Sequence, residues 1–479
     1  MKNSQKTEYL ATMPMTARHY WIVFVASLGQ FVGTSVATLA GILIPMINII
    51  RHPELNATMQ GLIGCMDLVG IIFGSLIFGR LSDRYGYLFF FRLCPALILV
   101  AAIVSALVPS VTVLIVCLFF IGLGIGGEYS LDSDYVSELM PVKYRSLMIG
   151  VTKAASALGN IIVAGLCYFI LTHMESASEW PDMMWIVAAI AAFMLLVRVN
   201  FHESPRWLID NGRHAAAEKA TEEFLGKDVR ILKVAPDGQP APAPDPKSEV
   251  APSGVPKKGR TYLRESDDSG SFFKRNFSRI VLSGIPWACE GLGVYGIGVF
   301  LPILVMALGL EHFTPGMPKL LHVASSVEIT FFISCIILPG FIIGLWLIRR
   351  KMYIPRIQTV GFWVCAASLV VLLLAYHYGW NKWISIGSFM LFELFLNIGP
   401  HLVTYVLPAK IYPVADRGVG TGIAAAVGKV GAVLGVFFIP QLLHWGGAVL
   451  VLAVSAAVMA LGAIVTQAFA PRVLPKNEK

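Results

Sequence analysis

Four carboxylates lie in a stretch whose flanking residues are typical of a membrane-spanning helix. Residues 124–138 have the sequence GIGGEYSLDSDYVSE and directly follow the apolar run VTVLIVCLFFIGL. A charged group near the centre of a bilayer costs about 3 kcal/mol or more, so it usually has a partner or a function. Helical spacing places Glu128 and Asp132 on one face, and Asp134 and Glu138 on another. Burial disfavours the charged form of a carboxylate, so we expect Glu128 and Asp132 to exchange protons near neutral pH.

Four further polar side chains are expected at a similar depth in their helices. At about 1.5 Å per residue, Lys153 lies about 12 Å from the nearest basic loop residue, and Glu290 about 16 Å. Gln30 and Lys429 each lie about 18 Å from theirs. Five different helices therefore carry a polar group near the expected midplane.

The composition predicts an all-α polytopic membrane protein. The chain has 479 residues, of which 56% are hydrophobic and 14% charged, and its mean hydropathy is +0.71. Apolar stretches long enough to cross a bilayer, about 20 residues each, recur along the chain. We predict twelve spans, at 20–47, 58–81, 88–108, 111–139, 146–171, 182–199, 280–309, 320–347, 353–376, 382–411, 416–442 and 447–470.

Basic residues predict the orientation of the spans. Residues 1–19 show no signal peptide, and most loop Lys and Arg residues fall between spans 2 and 3, 4 and 5, and 8 and 9. Arg51, Lys319 and Lys382 are the exceptions. Because cytoplasmic loops carry the excess of basic residues, we expect both termini to be cytoplasmic and the chain to lie in the cell (inner) membrane. The net charge of +8 then needs no nucleic-acid partner, since anionic lipid accounts for it.

The central segment divides the chain into two halves. Residues 201–225 are amphipathic and predict one or two short surface helices, and the Pro/Ala-rich stretch at 235–259 predicts a disordered linker. The expected divisions are 1–19, 20–199, 200–279, 280–470 and 471–479.

An internal repeat supports this division. SELMPVKYRSLMIG at 137–150 aligns without gaps with AKIYPVADRGVGTG at 409–422, so that Arg145 matches Arg417. Parallel repeats of six helices build two domains that rock about a central site.

These motifs are similar to those of the major facilitator superfamily over nearly the whole chain. GRLSDRYG at 79–86, SELMPVKYR and ESPRWL resemble its loop motifs. GGEY at 126–129, WACEGLGVYG at 287–296 and GIAAAVGKVGAVLG at 422–435 look like those of its phosphate:proton symporters. The resemblance implies two six-helix bundles that transport a solute by alternating access, with the site between them.

The chain departs from the phosphate symporters at three positions. Span 1 has no acid, Glu128 stands where an Asp is usual, and Gly291 occupies the place of an Asp with Glu290 beside it. Lys153 occupies the position at which sugar porters carry a Gln. An ammonium group there, together with Lys429, favours a carboxylate or phosphate-type substrate. The alternative is that each lysine only neutralises a neighbouring acid.

The resemblance and the depths together give the candidate residues. The substrate-binding candidates are Gln30, Tyr129, Lys153, Trp287, Tyr295, Asn397, Thr404 and Lys429. The proton-coupling candidates are Glu128, Asp132 and Glu290. The candidates for a cytoplasmic gate are Gly79, Asp83, Arg84, Glu138, Arg145 and Arg417. Asp67, Glu328, Glu393 and His401 are also expected within the membrane, without an assigned role.

We therefore expect a monomeric proton-coupled symporter of a small anion, whose partners are the solute, protons and the bilayer. A transporter of sugar or another neutral metabolite and a non-transporting nutrient receptor remain the alternatives. An enzyme is not expected, because GIGG at 124–127 lacks the Lys-Ser/Thr of a phosphate loop and no cofactor motif or metal-ligand spacing is present.

Overall fold

The computed structural model describes residues 15–199, 201–225, 269–312, 316–413 and 416–474, and these residues are helical with short connections. The first half contains α1 (Ala17–Ile50), α2 (Ala57–Tyr85), α3 (Tyr87–Leu107), α4 (Val111–Leu139), α5 (Val142–Leu171) and α6 (Met184–Val197). Two short helices follow, α7 (Pro205–Asp210) and α8 (His214–Leu225). The second half contains α9 (Ser269–Gly291), α10 (Leu301–Ala307), α11 (Lys319–Ser334), α12 (Ile337–Arg349), α13 (Ile354–His377), α14 (Lys382–Ile398), α15 (Pro400–Ile411) and α16 (Arg417–Val473).

The predicted spans correspond to helices that are long and apolar enough to cross a membrane. The described residues hold 11 such segments, of which the last extends over 55 residues. That segment contains a break at Gly446 and Gly447, where Gly447 has a φ of 62°. This left-handed backbone conformation favours glycine. Because α16 is two helices joined at this break, it accounts for predicted spans 11 and 12, and the all-α polytopic prediction is confirmed.

The start of span 7 was predicted too late. The helix begins at Ser269, not at 280, so its first turns lie within residues 200–279, the segment predicted to connect the two halves. Contacts with the chain before α16 hold these turns, since Arg279 Nε donates to the Ile411 carbonyl at 2.9 Å and Asn276 Nδ2 to Asp416 Oδ2 at 2.9 Å. Two short helices, α7 and α8, form in the stretch that was predicted to be amphipathic, whereas the Pro/Ala-rich stretch at 235–259 lies outside the described residues.

Three predicted spans contain irregular backbone. Span 10 breaks at Gly399, before Pro400, because proline lacks the N–H that would continue the helix. Span 8 breaks between α11 and α12, and span 7 has a π-helical stretch at Leu292–Ile297. Broken helices line cavities in many membrane transport proteins, because their freed backbone groups need polar or buried surroundings.

Glycines allow close helix contacts both within a half and between the halves. A Cβ atom added at Gly126 in α4 would lie 2.3 Å from the Ile71 carbonyl oxygen of α2. A Cβ atom at Gly41 in α1 would lie 1.8 Å from the carbonyl oxygen of Val299, in the second half. The latter contact lies on the far side of the bundle, meaning the side that holds loop 51–56 and is remote from the two repeat motifs. Glycine thus allows α1 of the first half to pack closely against the backbone of the second half on this side.

Candidate functional site

Two lysines and three tyrosines meet where the two halves face each other, and we call this group the lysine–tyrosine cage. Lys153 Nζ lies 5.7 Å from the ring centroid of Tyr129 and 4.4 Å from that of Tyr405. Lys429 Nζ lies 5.4 Å from the Tyr129 ring and 4.6 Å from the Tyr295 ring. Both lysines therefore share one tyrosine, and each also contacts a second one by a cation–π interaction.

Hydrogen bonds orient both ammonium groups. Lys153 Nζ donates to Gln30 Oε1 at 3.0 Å, and Lys429 Nζ donates to the Tyr295 hydroxyl at 3.2 Å. Lys153 is only 6% exposed and Gln30 only 9%. The structure therefore brings together Gln30, Lys153 and Lys429, as expected from their depths.

Neither cage lysine forms an ion pair with a carboxylate among the described residues. Their partners are an amide oxygen, a hydroxyl and aromatic rings. The two ammonium groups also repel each other, while Glu290 attracts Lys153. No carboxylate is bonded directly to either lysine in this part of the chain, but Glu290 acts electrostatically on Lys153 and Asp67 on Lys429, so neutralisation of a neighbouring acid stays the alternative.

Glu128 and Asp132 share a buried arginine, Arg198, as their partner. Arg198 NH1 donates to Glu128 Oε1 at 2.7 Å, and Arg198 NH2 lies 3.5 Å from Asp132 Oδ1. The same guanidinium donates to the Phe91 carbonyl at 3.0 Å. Arg198 and Glu128 are 0% exposed. An arginine at the end of α6 thus reaches both carboxylates inside the first half.

Glu290 has a titratable partner. Its Oε1 forms a short hydrogen bond with Nδ1 of His401, and both side chains are buried. The His401 ring lies 6.0 Å from the Tyr405 ring, which links this pair to the lysine–tyrosine cage. Glu290 comes from span 7 and His401 from the second residue of α15, directly after the break at Gly399.

The remaining candidates lie close by, with other contacts. The Trp287 ring packs 4.9 Å from the Tyr405 ring and therefore borders the cage. Asn397 Nδ2 donates to the carbonyl of Glu393 at 2.8 Å, and Thr404 Oγ1 to the carbonyl of His401 at 3.2 Å. These two side chains thus bond within their own span and have no described contact with the lysines.

The family of the chain follows from a sequence profile. The profile described as "Sugar (and other) transporter" matches residues 1–240 and 305–476. The chain belongs to this family of the major facilitator superfamily. It is therefore a multi-pass membrane transporter of small solutes and not an enzyme.

Curated relatives of this transporter carry several kinds of solute. The chain is 24% identical over 457 residues to a repressible high-affinity phosphate permease of Neurospora crassa, covering 87% of this chain and 76% of the permease. It is 24% identical over 429 residues to the niacin transporter NiaP of Acinetobacter baylyi, covering 88% and 87%. It is 23% identical over 418 residues to the inner membrane metabolite transport protein YgcS of Escherichia coli, covering 87% and 84%.

A solved structure gives the same fold for this transporter. The crystal structure of a D-xylose-proton symporter superposes with a TM-score of 0.72 at 17% identity, covering 95% of this chain and 99% of that one. The predicted major facilitator fold is confirmed.

Most of the predicted gate of this transporter lies outside the described side chains. Those of Asp83, Glu138, Arg145 and Arg417 belong to that undescribed set. Arg84 is exposed, with its guanidinium carbon 5.3 Å from the Tyr85 ring centroid. A Cβ atom at Gly79 would lie 3.5 Å from Ser130, so this glycine sits against α4.

The structure also identifies residues that the sequence did not single out. Arg198 is one, and its position after an apolar span gave no sign of its burial. Tyr405 is another, although its place one turn after His401 could have indicated a shared helix face. Asp67 is fully buried, interacts electrostatically with Lys429, and has an oxygen without a described hydrogen-bond partner. The described residues contain no group of three His, Cys, Asp or Glu side chains that could hold a metal ion.

Proposed function

We propose that this transporter is a secondary active symporter that takes up a small anionic solute, a carboxylate or phosphate-type metabolite, together with protons. The observation that carries the proposal is the pair of the buried Lys153 and the half-buried Lys429, whose ammonium groups have no directly bonded carboxylate in the described chain. Alternating access between the two halves would carry the solute across the membrane.

The charge of the cage favours an anion. A buried charge without an ionic partner is costly, and two like charges that repel each other add to this cost. A carboxylate or phosphate placed between Lys153 and Lys429 would remove both costs and would form charge-assisted hydrogen bonds. A neutral sugar would give the ammonium groups no charged hydrogen-bond partner.

The cage also suits alternating access. Lys153 belongs to the first half and Lys429 to the second, and the Tyr129 ring contacts both. An anion bound between them would draw the halves together, while the break at Gly399 gives span 10 a point at which to bend.

Coupling to protons requires a group that titrates within reach of the anion. Glu128, Asp132 and Glu290 are the carboxylates proposed for this role. Binding of the anion would favour protonation and protonation would favour the anion, because the coupling free energy acts equally in both directions.

The wider assignment follows the same proposal. Tyr129, Trp287, Tyr295 and Gln30 would surround the solute, with Asn397 and Thr404 supporting span 10. The loop motifs with Gly79, Asp83, Arg84, Glu138, Arg145 and Arg417 would close the cytoplasmic side. We propose a monomer in the inner membrane with both termini in the cytoplasm. The solutes in two relatives' names, phosphate and niacin, are anions at neutral pH and support this substrate class.

Counterflow in proteoliposomes tests the substrate class. Vesicles are loaded with one solute from a panel of phosphate, nicotinate, other small carboxylates and neutral sugars, and entry of the same labelled solute is measured without a pH gradient. We expect exchange of an anion and none of the sugars. Exchange of sugars alone would favour the neutral-metabolite transporter, and binding without exchange would favour the receptor.

A further inference from the structure

We propose that Glu290 and His401 act as one unit that binds and releases the coupling proton, so that coupling resides in the second half of the transporter. This inference rests on the proposed function and specifies its proton site. The carboxylate of span 7 and the imidazole of span 10 share one short hydrogen bond in a buried position.

The geometry allows one proton to be added without breaking the pair. Nδ1 of His401 faces Glu290, so a neutral imidazole that donates from Nδ1 keeps its lone pair at Nε2. A proton taken from water at Nε2 gives an imidazolium beside the carboxylate, and its release restores the starting state. No other reactant is needed.

The surroundings connect this proton to the anion site. Charged and titratable side chains of five spans, 4, 5, 7, 10 and 11, act electrostatically on Glu290 or His401, directly or through Tyr405. Among the described residues they are Tyr129, Lys153, Cys289, Tyr295, Tyr405 and Lys429. The apolar Phe341 ring also covers His401, with the ring centroids 5.3 Å apart. The pair therefore has both an apolar ring and a tyrosine of the lysine–tyrosine cage as neighbours.

Protonation of the Glu290–His401 pair adds one positive charge next to the lysine–tyrosine cage. Lys153 and Lys429 both act electrostatically on His401, and their positive charges repel an imidazolium. An anion bound between Lys153 and Lys429 offsets this repulsion, so the proton binds more readily once the anion is present. The same linkage makes the protonated transporter bind the anion more tightly.

Glu128 and Asp132 are less suited to this task. Arg198, which remains protonated at all ordinary pH values, donates to Glu128 and lies 3.5 Å from Asp132. A proton added to Glu128 would have to displace that bond, whereas the Glu290–His401 pair gains a proton and keeps its bond. Of the three proposed carboxylates, Glu290 is the one whose described hydrogen-bond partner is an imidazole, a side chain that can itself gain or lose a proton.

A measurement that needs no solute tests the proton site. Infrared difference spectra between acidic and alkaline pH are recorded for the full chain in lipid nanodiscs, for the parent and for Glu290→Gln, His401→Gln and His444→Gln. His444 is exposed and serves as the matched histidine control. We expect His401→Gln to remove an imidazole band from the difference spectrum and to shift the pH at which a carboxylate band changes. We expect Glu290→Gln to shift the pH at which the imidazole band changes. A carboxylate titration unchanged in His401→Gln would overturn the shared-proton unit.

Transport by the same variants tests the coupling, with inorganic phosphate and nicotinate as probes. We expect His401→Gln to keep counterflow and to lose accumulation driven by a pH gradient, whereas His444→Gln keeps both. Accumulation equal to the parent's, or loss of counterflow as well, would overturn the proposal. If the parent exchanges no anion, the proposed function fails, while the spectra still decide whether the pair titrates.

Discussion

The ammonium group of Lys153 lies 4.4 Å from the ring centroid of Tyr405, although the two residues belong to opposite halves of the transporter. The Tyr405 ring in turn packs 4.9 Å from the ring of Trp287 and 6.0 Å from that of His401. One aromatic side chain thus joins a cation of the first half to the proposed proton site of the second. A rearrangement of the halves that separates these groups must change the surroundings of both.

Replacement of either cage lysine by glutamine is expected to weaken anion binding. Each variant removes one charge-assisted hydrogen bond, worth about 1.5–3 kcal/mol, so KM should rise about ten- to hundredfold. The measurement is the initial rate of anion counterflow against concentration for Lys153→Gln and Lys429→Gln. Lys274→Gln, an exposed lysine in α9, is the control and should keep the parent's KM. An unchanged KM in both cage variants would contradict the role of the lysines.

Removal of the Arg198 guanidinium is expected to destabilise the first half. Arg198→Met leaves two buried carboxylates without their cation, and breaking a buried ion pair in this way costs about 3–5 kcal/mol. Asp132→Asn should cost less, because it leaves one carboxylate for one guanidinium. Denaturant unfolding in detergent micelles measures both. Equal losses of stability in the two variants would show that the guanidinium is not the shared partner.

The fold was largely predictable because its signals are local. Apolar stretches set the spans, and the repeat at 137–150 and 409–422 set the two halves. The start of α9 was missed because Ser269–Arg279 is polar, and contacts of Asn276 and Arg279 far along the chain hold it in the helix. The break at Gly399 also required tertiary information, since Gly-Pro permits a bend without specifying one.

Filling the contact at Gly41 is expected to impair transport. A Cβ atom there would lie 1.8 Å from the Val299 carbonyl oxygen, so Gly41→Ala should hinder closure of the far side. Overpacking of this kind costs about 1–3 kcal/mol, which predicts a fall of about fivefold or more in the counterflow rate. Gly298→Ala is the matched control, because nothing lies within 4 Å of its added Cβ atom. A full rate in Gly41→Ala would mean that this contact does not form during transport.

Asp416 is expected to make stability depend on pH. The Asn276 amide and the Arg275 guanidinium hold the pKa of the Asp416 carboxyl below its usual range. Because the pKa of Asp416 is lower in the folded protein, this carboxylate stabilises the fold at pH values above its unfolded-state pKa, near 3.9. The contribution is lost as the pH falls through the folded-state pKa. Because the Arg275 side chain is 57% exposed, the contribution is expected to be below about 1 kcal/mol. Asp416→Asn should therefore unfold at a lower denaturant concentration than the parent at neutral pH, and at the same concentration in strong acid. A constant difference across pH would contradict this.

The sequence predicted several residues of the lysine–tyrosine cage, but it did not predict Tyr405 or the pairings of the acids. Depth along the helix placed Gln30, Lys153 and Lys429 at a similar level. That their helices meet was implied by the family resemblance, and in the structure Gln30 bonds to Lys153 and the Tyr129 ring contacts both lysines. Which acid bonds to which base depends on helix rotation and packing, so neither the Arg198–Glu128 bond nor the Glu290–His401 bond could be derived from one sequence.

Entry of protons evoked by an anion tests the central claim most directly. Proteoliposomes that contain a pH-sensitive dye are exposed to each anion and each neutral sugar of the panel, with the parent and with the double variant Lys153→Gln/Lys429→Gln. We expect an anion to acidify the lumen in the parent and not in the double variant. Acidification by a sugar, anion entry without protons, or an unchanged response in the double variant would contradict anion–proton symport through the lysine–tyrosine cage.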